Sequence, residues 1–338
     1  MGPVLAAARD QGITKDERRT RAFRDAVIRA AWDGLGAIGD ARPWKSNFNA
    51  DLVLLDIPGR SPLVLKIMVS KPAEVLAAEF KALLRLHEVA TKTSAFAVPV
   101  PVLDLTERSA YVASLADGRP LTELLRAGRA PARDAIVGAA CGRALWSIHA
   151  DGDVVMEPFD ARAVVDDLVT NGPWGLGSSE RAVLERVVAH LHGVPVPVSA
   201  LYLDFDPVNV LVDGATPVLL DPPERVVRGP VQWDLGVFSL GLRRAWWRHP
   251  ARAQRSARAA SALGAAADEG YRNAAAASLS STVTDVMELV RLAQLALWWS
   301  DVTTFRDRAT GSIRALVAVP LVRAERARIL KRLEQRCP

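Results

Sequence analysis

The chain has 338 residues, half of them hydrophobic, and 43 Lys and Arg against 38 Asp and Glu give a formal net charge of +5. That length exceeds what one hydrophobic core usually serves, so two lobes are expected, and the apolar share can fill a core in each. Neither a membrane span nor a secretory leader is expected: Leu292 to Trp299, bounded by Arg291 and Asp301, is far too short to cross a bilayer, and no long apolar region follows the charged residues Arg9 to Glu17.

Two distant cysteines, Cys141 and Cys337, make no disulfide framework and suit a reducing cytoplasm. Residues 15–36 carry a helical pattern with Phe23, Val27, Ala31 and Trp32 on one side, which predicts a helix packed on the first lobe. Two strand-like runs follow, Asp51 to Ile57 and Pro62 to Val69, separated by a Pro58-Gly59 turn. Lys66 lies inside the second run between Leu65 and Ile67, where a lysine must either face solvent or meet a partner. The next helix, from Pro72 to about Val89, opens on a proline, as a first turn allows. On it Glu79 shares a face with Leu76, Leu83 and Leu86, whereas Glu74 and Glu88 lie on more polar faces. An acid on an apolar face needs a partner, and Lys66 is the candidate.

Val98 to Val102 is broken by prolines, and Ala110 to Leu115 then reads as a strand running into Ala116-Asp117-Gly118-Arg119-Pro120. The lobe boundary is placed there, with residues 1–115 before it and 116–338 after it. Leu121 to Leu125 and Ala132 to Ala150 read as helices, the second with Val137, Cys141, Leu145 and Ile148 on one side, so Cys141 is a core residue rather than a reactive thiol. His190 and His192 have no Cys or Asp at a ligand spacing and read as helix surface.

The stretch that carries chemistry is Leu201 to Asp221, LYLDFDPVNVLVDGATPVLLD. Two β-type runs, Val210 to Val212 and Pro217 to Leu220, flank an Asp213-Gly214 turn, the dipeptide that favours a tight hairpin. Asp204 precedes the hairpin, Asn209 enters its first strand and Asp221 leaves its second. Folding the hairpin is expected to bring Asn209 and Asp221 side by side with Asp204 nearby. Mg²⁺ takes oxygen ligands and is commonly held by one or two side chains plus substrate phosphates. The arrangement therefore suits phosphoryl transfer from a magnesium nucleotide, with Asp204 orienting an acceptor hydroxyl or taking its proton. The competing reading is a surface hairpin whose Asp and Asn residues only form turns.

This segment resembles the catalytic and metal-binding loops of the aminoglycoside phosphotransferase and choline kinase-like family, relatives of the protein kinases. The family pattern runs H-G-D-x-x-x-x-N followed by two hydrophobic residues, then two hydrophobic residues and D after a hairpin. Asp204, Asn209 and Asp221 match it, while Tyr202 replaces the His, which mainly braces the loop, and Leu203 replaces the Gly. Gly229 to Leu235 resembles the family's G-x-x-x-x-D-L segment, which makes Asp234 a brace for the catalytic loop, and Val64-Leu65-Lys66-Ile67 is similar to V-A-I-K.

The resemblance implies an α+β, bilobal protein-kinase-like fold, with a small β-rich N-lobe and a larger, mainly helical C-lobe. It implies an ATP-dependent phosphotransferase that uses Mg²⁺ and acts on a hydroxyl of a small molecule such as an antibiotic, a sugar or another metabolite. Residue by residue, it makes Asp204 catalytic and Asn209 and Asp221 the metal ligands. Lys66, paired with Glu79, would meet the α and β phosphates. Ser114 and Ala116 would lead into the hinge that receives adenine, and backbone amides around Ser46 and Asn47 would meet phosphate. The loop expected there, between Pro43 and Asp51, reads WKSNFNA and has no glycine, so it holds no G-x-G-x-x-G, and G-x-x-x-x-G-K-[ST] occurs nowhere in the chain. The absent glycines, Tyr202 and Leu203 keep open a second reading, a catalytically weak pseudokinase or nucleotide-binding scaffold.

Beyond Asp234 the chain is helical and alanine-rich, and residues 224–258 hold Arg225, Arg228, Arg243, Arg244, Arg248, Arg252, Arg255 and Arg258 around Trp246 and Trp247. With so modest a net charge, these read as solvated helix faces rather than as a nucleic-acid or membrane surface. Arg225 and Arg228 are expected near the acceptor entrance, where they would disfavour a polycationic acceptor, and Asp285, Glu288 and Asp301 are candidates to line the acceptor pocket. The acceptor itself and the oligomeric state are left open.

Overall fold

The computed structural model describes residues 20–46, 49–245, 253–305 and 308–338. Two compact units divide the chain: residues up to Asp117 together with Val218–Arg225, and Gly118–Pro217 together with Val226–Pro338.

The first unit opens with α1 (Arg21–Leu35), where the Thr20 hydroxyl accepts the Phe23 N–H at 3.2 Å. The expected residues 15–19 of this helix lie outside the described residues. There follow β1 (Asp40–Ser46), β2 (Ala50–Asp56), β3 (Leu63–Met68), α2 (Ala73–Thr93), β4 (Pro101–Leu105) and β5 (Ala110–Ser114). The strands form one antiparallel sheet in the order β1-β2-β3-β5-β4. Successive side chains of a strand point to opposite faces. One face collects Val53, Leu55, Leu65, Ile67, Ala110 and Val112 against Val27 and Ala31 of α1. Each fully buried side chain of this kind contributes roughly 1.5–3 kcal/mol. The other face carries the residues between them, with Leu52 opposite Lys66 and Lys66 opposite Tyr111.

One expectation changes here. Part of the stretch read as a loop between Pro43 and Asp51 is strand: β1 runs to Ser46, which pairs with Asp51. Pairing with the hydrophobic β2 overrides the turn-like composition, and Pro43 is tolerated because β1 is an edge strand. The register shifts between Pro43 and Lys45, so Trp44 is an extra residue and Lys45 stands opposite Leu52.

The second unit contains β6 (Arg119–Pro120), α3 (Leu121–Ala127), α4 (Pro131–Asp151), β7 (Val155–Pro158), α5 (Ala161–Asn171), α6 (Ser178–Leu191), β8 (Pro195–Ala200) and β9 (Val210–Asp213). The Asp213-Gly214 turn, with Gly214 at φ +59°, leads into β10 (Thr216–Leu219), within which the chain passes into the first unit. The chain returns at β11 (Arg228–Pro230) and ends in α7 (Gln232–Arg244), α8 (Ala253–Ala275), α9 (Ser281–Phe305) and α10 (Arg308–Arg336). Strands β7, β8 and β11 make a small antiparallel sheet, and β6 pairs with β9.

The helical core includes Leu168, Val187, Leu240, Val286, Leu292 and Leu330. Cys141 is fully buried, and burial pushes its thiol up to about 12, as suits an inert core residue. His190 is exposed, and His192 Nδ1 lies 3.6 Å from Asp160 Oδ1. Among the described residues no three His, Cys, Asp or Glu side chains cluster as a metal site, and no helix is long and apolar enough to cross a membrane.

Candidate active site

In the first unit Lys66 and Glu79 meet. The period of β3 turns Lys66 away from the α1 core, and the helical period of α2 brings Glu79 round with Leu76, Leu83 and Leu86. Lys66 Nζ donates to Glu79 Oε1 at 2.6 Å, and the Tyr111 hydroxyl donates to the same oxygen at 2.7 Å. Nζ also donates to Asp221 Oδ1 at 3.0 Å. The Glu79 side chain is 2 % exposed and that of Lys66 14 %, whereas Asp221 is 60 % exposed. Burial opposes the charge on Lys66, but Tyr111, Asp221 and Glu79 outweigh it and hold the ammonium well above its usual range. Partial desolvation likewise works against Asp221, yet Lys66, with Lys45 and Lys71, keeps its carboxyl below the ordinary carboxylate value. Burial and the adjacent Glu79 raise the Tyr111 phenol, so it remains a donor despite the neighbouring Lys66.

The other first-unit candidates are placed less closely to this group. The Ser46 hydroxyl donates to Asp51, a buried acid that also pairs with Arg24 at 2.6 Å, and Asn47 lies outside the described residues. Ser114 ends β5, where its N–H donates to the Val100 carbonyl at 2.8 Å and its Oγ accepts the Val100 N–H at 2.8 Å. Ala116 follows in the irregular segment after that strand.

In the second unit Asp204 sits on the segment after β8. Its Oδ1 accepts from Arg291 Nη2 at 2.5 Å, and its Oδ2 accepts from Asn209 Nδ2 at 2.9 Å. Asn209 closes a single 3₁₀ turn, Pro207–Asn209, capped by the Asp206 side chain and lying against α7 at Gly241. A Cβ at Gly241 would stand 2.4 Å from Pro207 Cδ, so this approach requires glycine.

Asp234 grips the start of the same segment. It is fully buried, and its carboxylate accepts from Tyr202 N at 2.7 Å, from Leu203 N at 2.8 Å and from His149 Nε2 at 2.9 Å. Because Nε2 carries the proton given to Asp234, Nδ1 of His149 accepts from the Tyr271 hydroxyl at 2.8 Å. A histidine therefore does brace this segment, but it comes from α4. Tyr202 is instead buried edge-on against Phe205. Leu203 has φ +72°, a left-handed conformation that favours glycine. The bonds of its N–H to Asp234 and of its carbonyl to Trp233 Nε1 hold it there.

Asp234→Ala is expected to lower stability by about 3–5 kcal/mol, because it strips three buried donors of one acceptor. Urea unfolding of the two proteins measures this, and an unchanged midpoint would remove Asp234 from the bracing role.

The acceptor-pocket candidates are corrected. Asp285 and Glu288 are buried and consumed by arginines: Arg332 Nε donates to Asp285 at 2.8 Å, and Arg243 Nη2 to Glu288 at 2.6 Å, with Arg332 on the same carboxylate. Acids carried inward on α9 must be neutralised, and the arginines of α7 and α10 do so. The side chain of Asp301 is outside the described set. Arg228 is equally committed, donating to the carbonyls of Gly152 at 2.8 Å and Asp153 at 3.0 Å, while Arg225 is exposed. Arg248 and Arg252, with Trp246 and Trp247, also lie outside the described residues.

Sequence reasoning missed Tyr111, Arg291 and His149 as parts of these clusters. The available signals were a tyrosine alternating with Ala110 and Val112 on β5, an arginine within the apolar run of α9, and a histidine following Ile148 at the end of α4.

A family model described as "Phosphotransferase enzyme family" matches residues 40–276. Among curated proteins none matches the chain. Among solved structures, a macrolide 2'-phosphotransferase from Brachybacterium faecium is 15% identical, with 87% of this chain and 98% of that chain covered at a TM-score of 0.57. A choline/ethanolamine kinase family protein from Mesorhizobium loti is 17% identical, with 93% and 99% covered at a TM-score of 0.53. An amicoumacin kinase in complex with AMP-PNP, Ca²⁺ and Ami is 14% identical, with 96% of each chain covered at a TM-score of 0.54. At such identities the likeness is one of fold, and the fold is the bilobal protein-kinase-like one, β-rich first and mainly helical after.

Proposed function

We propose that this chain, which belongs to the phosphotransferase enzyme family, moves the terminal phosphoryl group of ATP to a hydroxyl of a small molecule. The observation that carries the reading is Lys66, tied at 2.6 Å to a buried Glu79 and at 3.0 Å to an exposed Asp221. An ammonium has three donors, so after these two bonds one remains for a nucleotide phosphate.

Asp221 and Asn209 suit a divalent cation by donor type. Oδ2 of Asp221 and the carboxamide oxygen of Asn209 have no hydrogen-bond partner among the described residues, and Asp221 is held ionised. Both are hard oxygen donors of the kind Mg²⁺ takes. When bound with the nucleotide, Mg²⁺ supplies charge neutralisation on its phosphates.

In the proposed reaction the acceptor oxygen forms a bond to the γ-phosphorus, and the bond from that phosphorus to the β–γ bridging oxygen breaks. ADP leaves with the electron pair, and the hydroxyl proton passes to the Asp204 carboxylate. Arg291 and Asn209 orient Asp204 by holding one oxygen each. Asp234 steadies the backbone beneath Asp204 through the Tyr202 and Leu203 amides.

The acceptor is proposed to be neutral or anionic rather than polycationic. Binding several ammonium groups requires open carboxylates, and Asp285 and Glu288 are already paired, while a guanidinium lies on Asp204. A nucleotide-binding scaffold is the second reading, favoured by Leu203 at φ +72° and by the glycine-free stretch 44–50.

One experiment separates them. The purified chain with ATP and Mg²⁺ is offered macrolides, aminoglycosides, sugars, nucleosides and amino alcohols, and ADP release and product mass are followed. Acceptor-dependent ADP release with a monophosphorylated neutral or acidic product is expected. ATP binding without transfer to any acceptor supports the scaffold, and efficient phosphorylation of the polyamines refutes the charge argument.

A further inference from the structure

The stretch that precedes β2 has no glycine between residues 44 and 50, and this raises a physical question. Backbone amides approach a polyphosphate closely where glycines remove the intervening Cβ atoms. Without them, the charge of a bound triphosphate must be met chiefly by side chains. The face of the first-unit sheet turned away from α1 carries such side chains in one row.

Lys45, Leu52, Lys66 and Tyr111 are successive cross-strand partners on β1, β2, β3 and β5. Directly opposed residues project to the same face, so Lys45 shares the face of Lys66, two strand spacings or about 10 Å away. The bulge at Trp44 is what sets this register: without the extra residue, Trp44 would stand opposite Leu52 and Lys45 would move one place along the strand. Lys45 is exposed and has no ion-pair partner among the described residues. The other lysines nearby are engaged, Lys66 with Glu79 and Asp221, and Lys71 with Glu224.

The geometry points to Lys45 as a second phosphate-binding lysine, which meets the outer phosphates of a nucleoside triphosphate in place of glycine-loop amides. The inference rests on the proposed kinase reading and adds to it a residue on the edge strand. With no ion pair to break among the described residues, Lys45 is available to the ligand.

The test is calorimetric titration of the full chain in Mg²⁺ with ATP, ADP and AMP. Lys45→Ala and Lys45→Gln are expected to weaken ATP about tenfold, the scale of a charge-assisted contact. ADP should weaken less, AMP should stay within about twofold, and Lys45→Arg should restore ATP binding. Lys81→Ala, at an exposed lysine on α2, controls for net charge and should change nothing.

Wild-type ATP affinity in both Lys45→Ala and Lys45→Gln overturns the inference and leaves the kinase reading standing. Equal losses for ATP, ADP and AMP, or the same loss in Lys81→Ala, also overturn it, because the effect would then be unspecific. A wild-type chain that binds no ATP removes the kinase reading and the inference together.

Discussion

Asp204→Ala is expected to reduce phosphoryl transfer by roughly 10²- to 10⁴-fold, the usual contribution of a positioned acid-base group, and to leave ATP affinity near that of the wild type. The expectation follows from the assignment of Asp204 to the acceptor hydroxyl rather than to the nucleotide. Its carboxylate is half exposed and held at one oxygen by Arg291, 2.5 Å away, and at the other by Asn209, 2.9 Å away. Arg291 is only 20 % exposed, so urea unfolding of each variant is measured beside turnover to separate catalysis from folding. Asp204→Asn separates charge from shape: it keeps the size of the side chain but can take no proton, so it should be nearly as inactive as Asp204→Ala. Turnover by ADP release and affinity by calorimetry decide the matter. Near-normal turnover in either variant would falsify the catalytic assignment.

Asp221→Ala should cost at least about 100-fold in metal affinity, beyond the 10- to 100-fold typical of residues that only orient a metal ligand. Its carboxylate is 60 % exposed, ionised and bonded to Lys66 through Oδ1 alone among the described residues. ATP affinity measured with and without Mg²⁺ should lose most of its magnesium dependence. Asn209→Ala should show the same change in weaker form, because a neutral amide offsets less of the ion's charge. Glu79→Gln should weaken ATP binding with its magnesium dependence preserved, since Glu79 acts on Lys66 and not on the metal. If Asp221→Ala kept the full magnesium effect, the metal would have to be held elsewhere.

Several features were legible in the residues alone, because burial leaves a period in a chain. Alternation of Leu65 and Ile67 with Lys66 marked a strand with one polar exception. The spacing of Leu76, Leu83 and Leu86 around Glu79 marked the acid that a buried lysine could meet, and the Asp204 to Asn209 spacing with the Asp213-Gly214 turn marked a loop and hairpin. In each case the information is local: three to seven residues decide which way a side chain faces.

What only the tertiary structure decided is which partner each charged residue finds. Asp221 packs with the first unit and bonds to a lysine 155 positions earlier, and Arg291 reaches Asp204 across 87 positions. Asp285 and Glu288 carried the same residue types as an open acidic pocket, yet Arg332 and Arg243 neutralise them inside the helical core. The Trp44 bulge places Lys45 opposite Leu52, and nothing in WKSNFNA announces it. Periodicity reports that a group is buried or exposed, whereas a charge inside a protein is stabilised by whichever opposite charge the packing of distant elements brings within about 4 Å, and that pairing has no local signature.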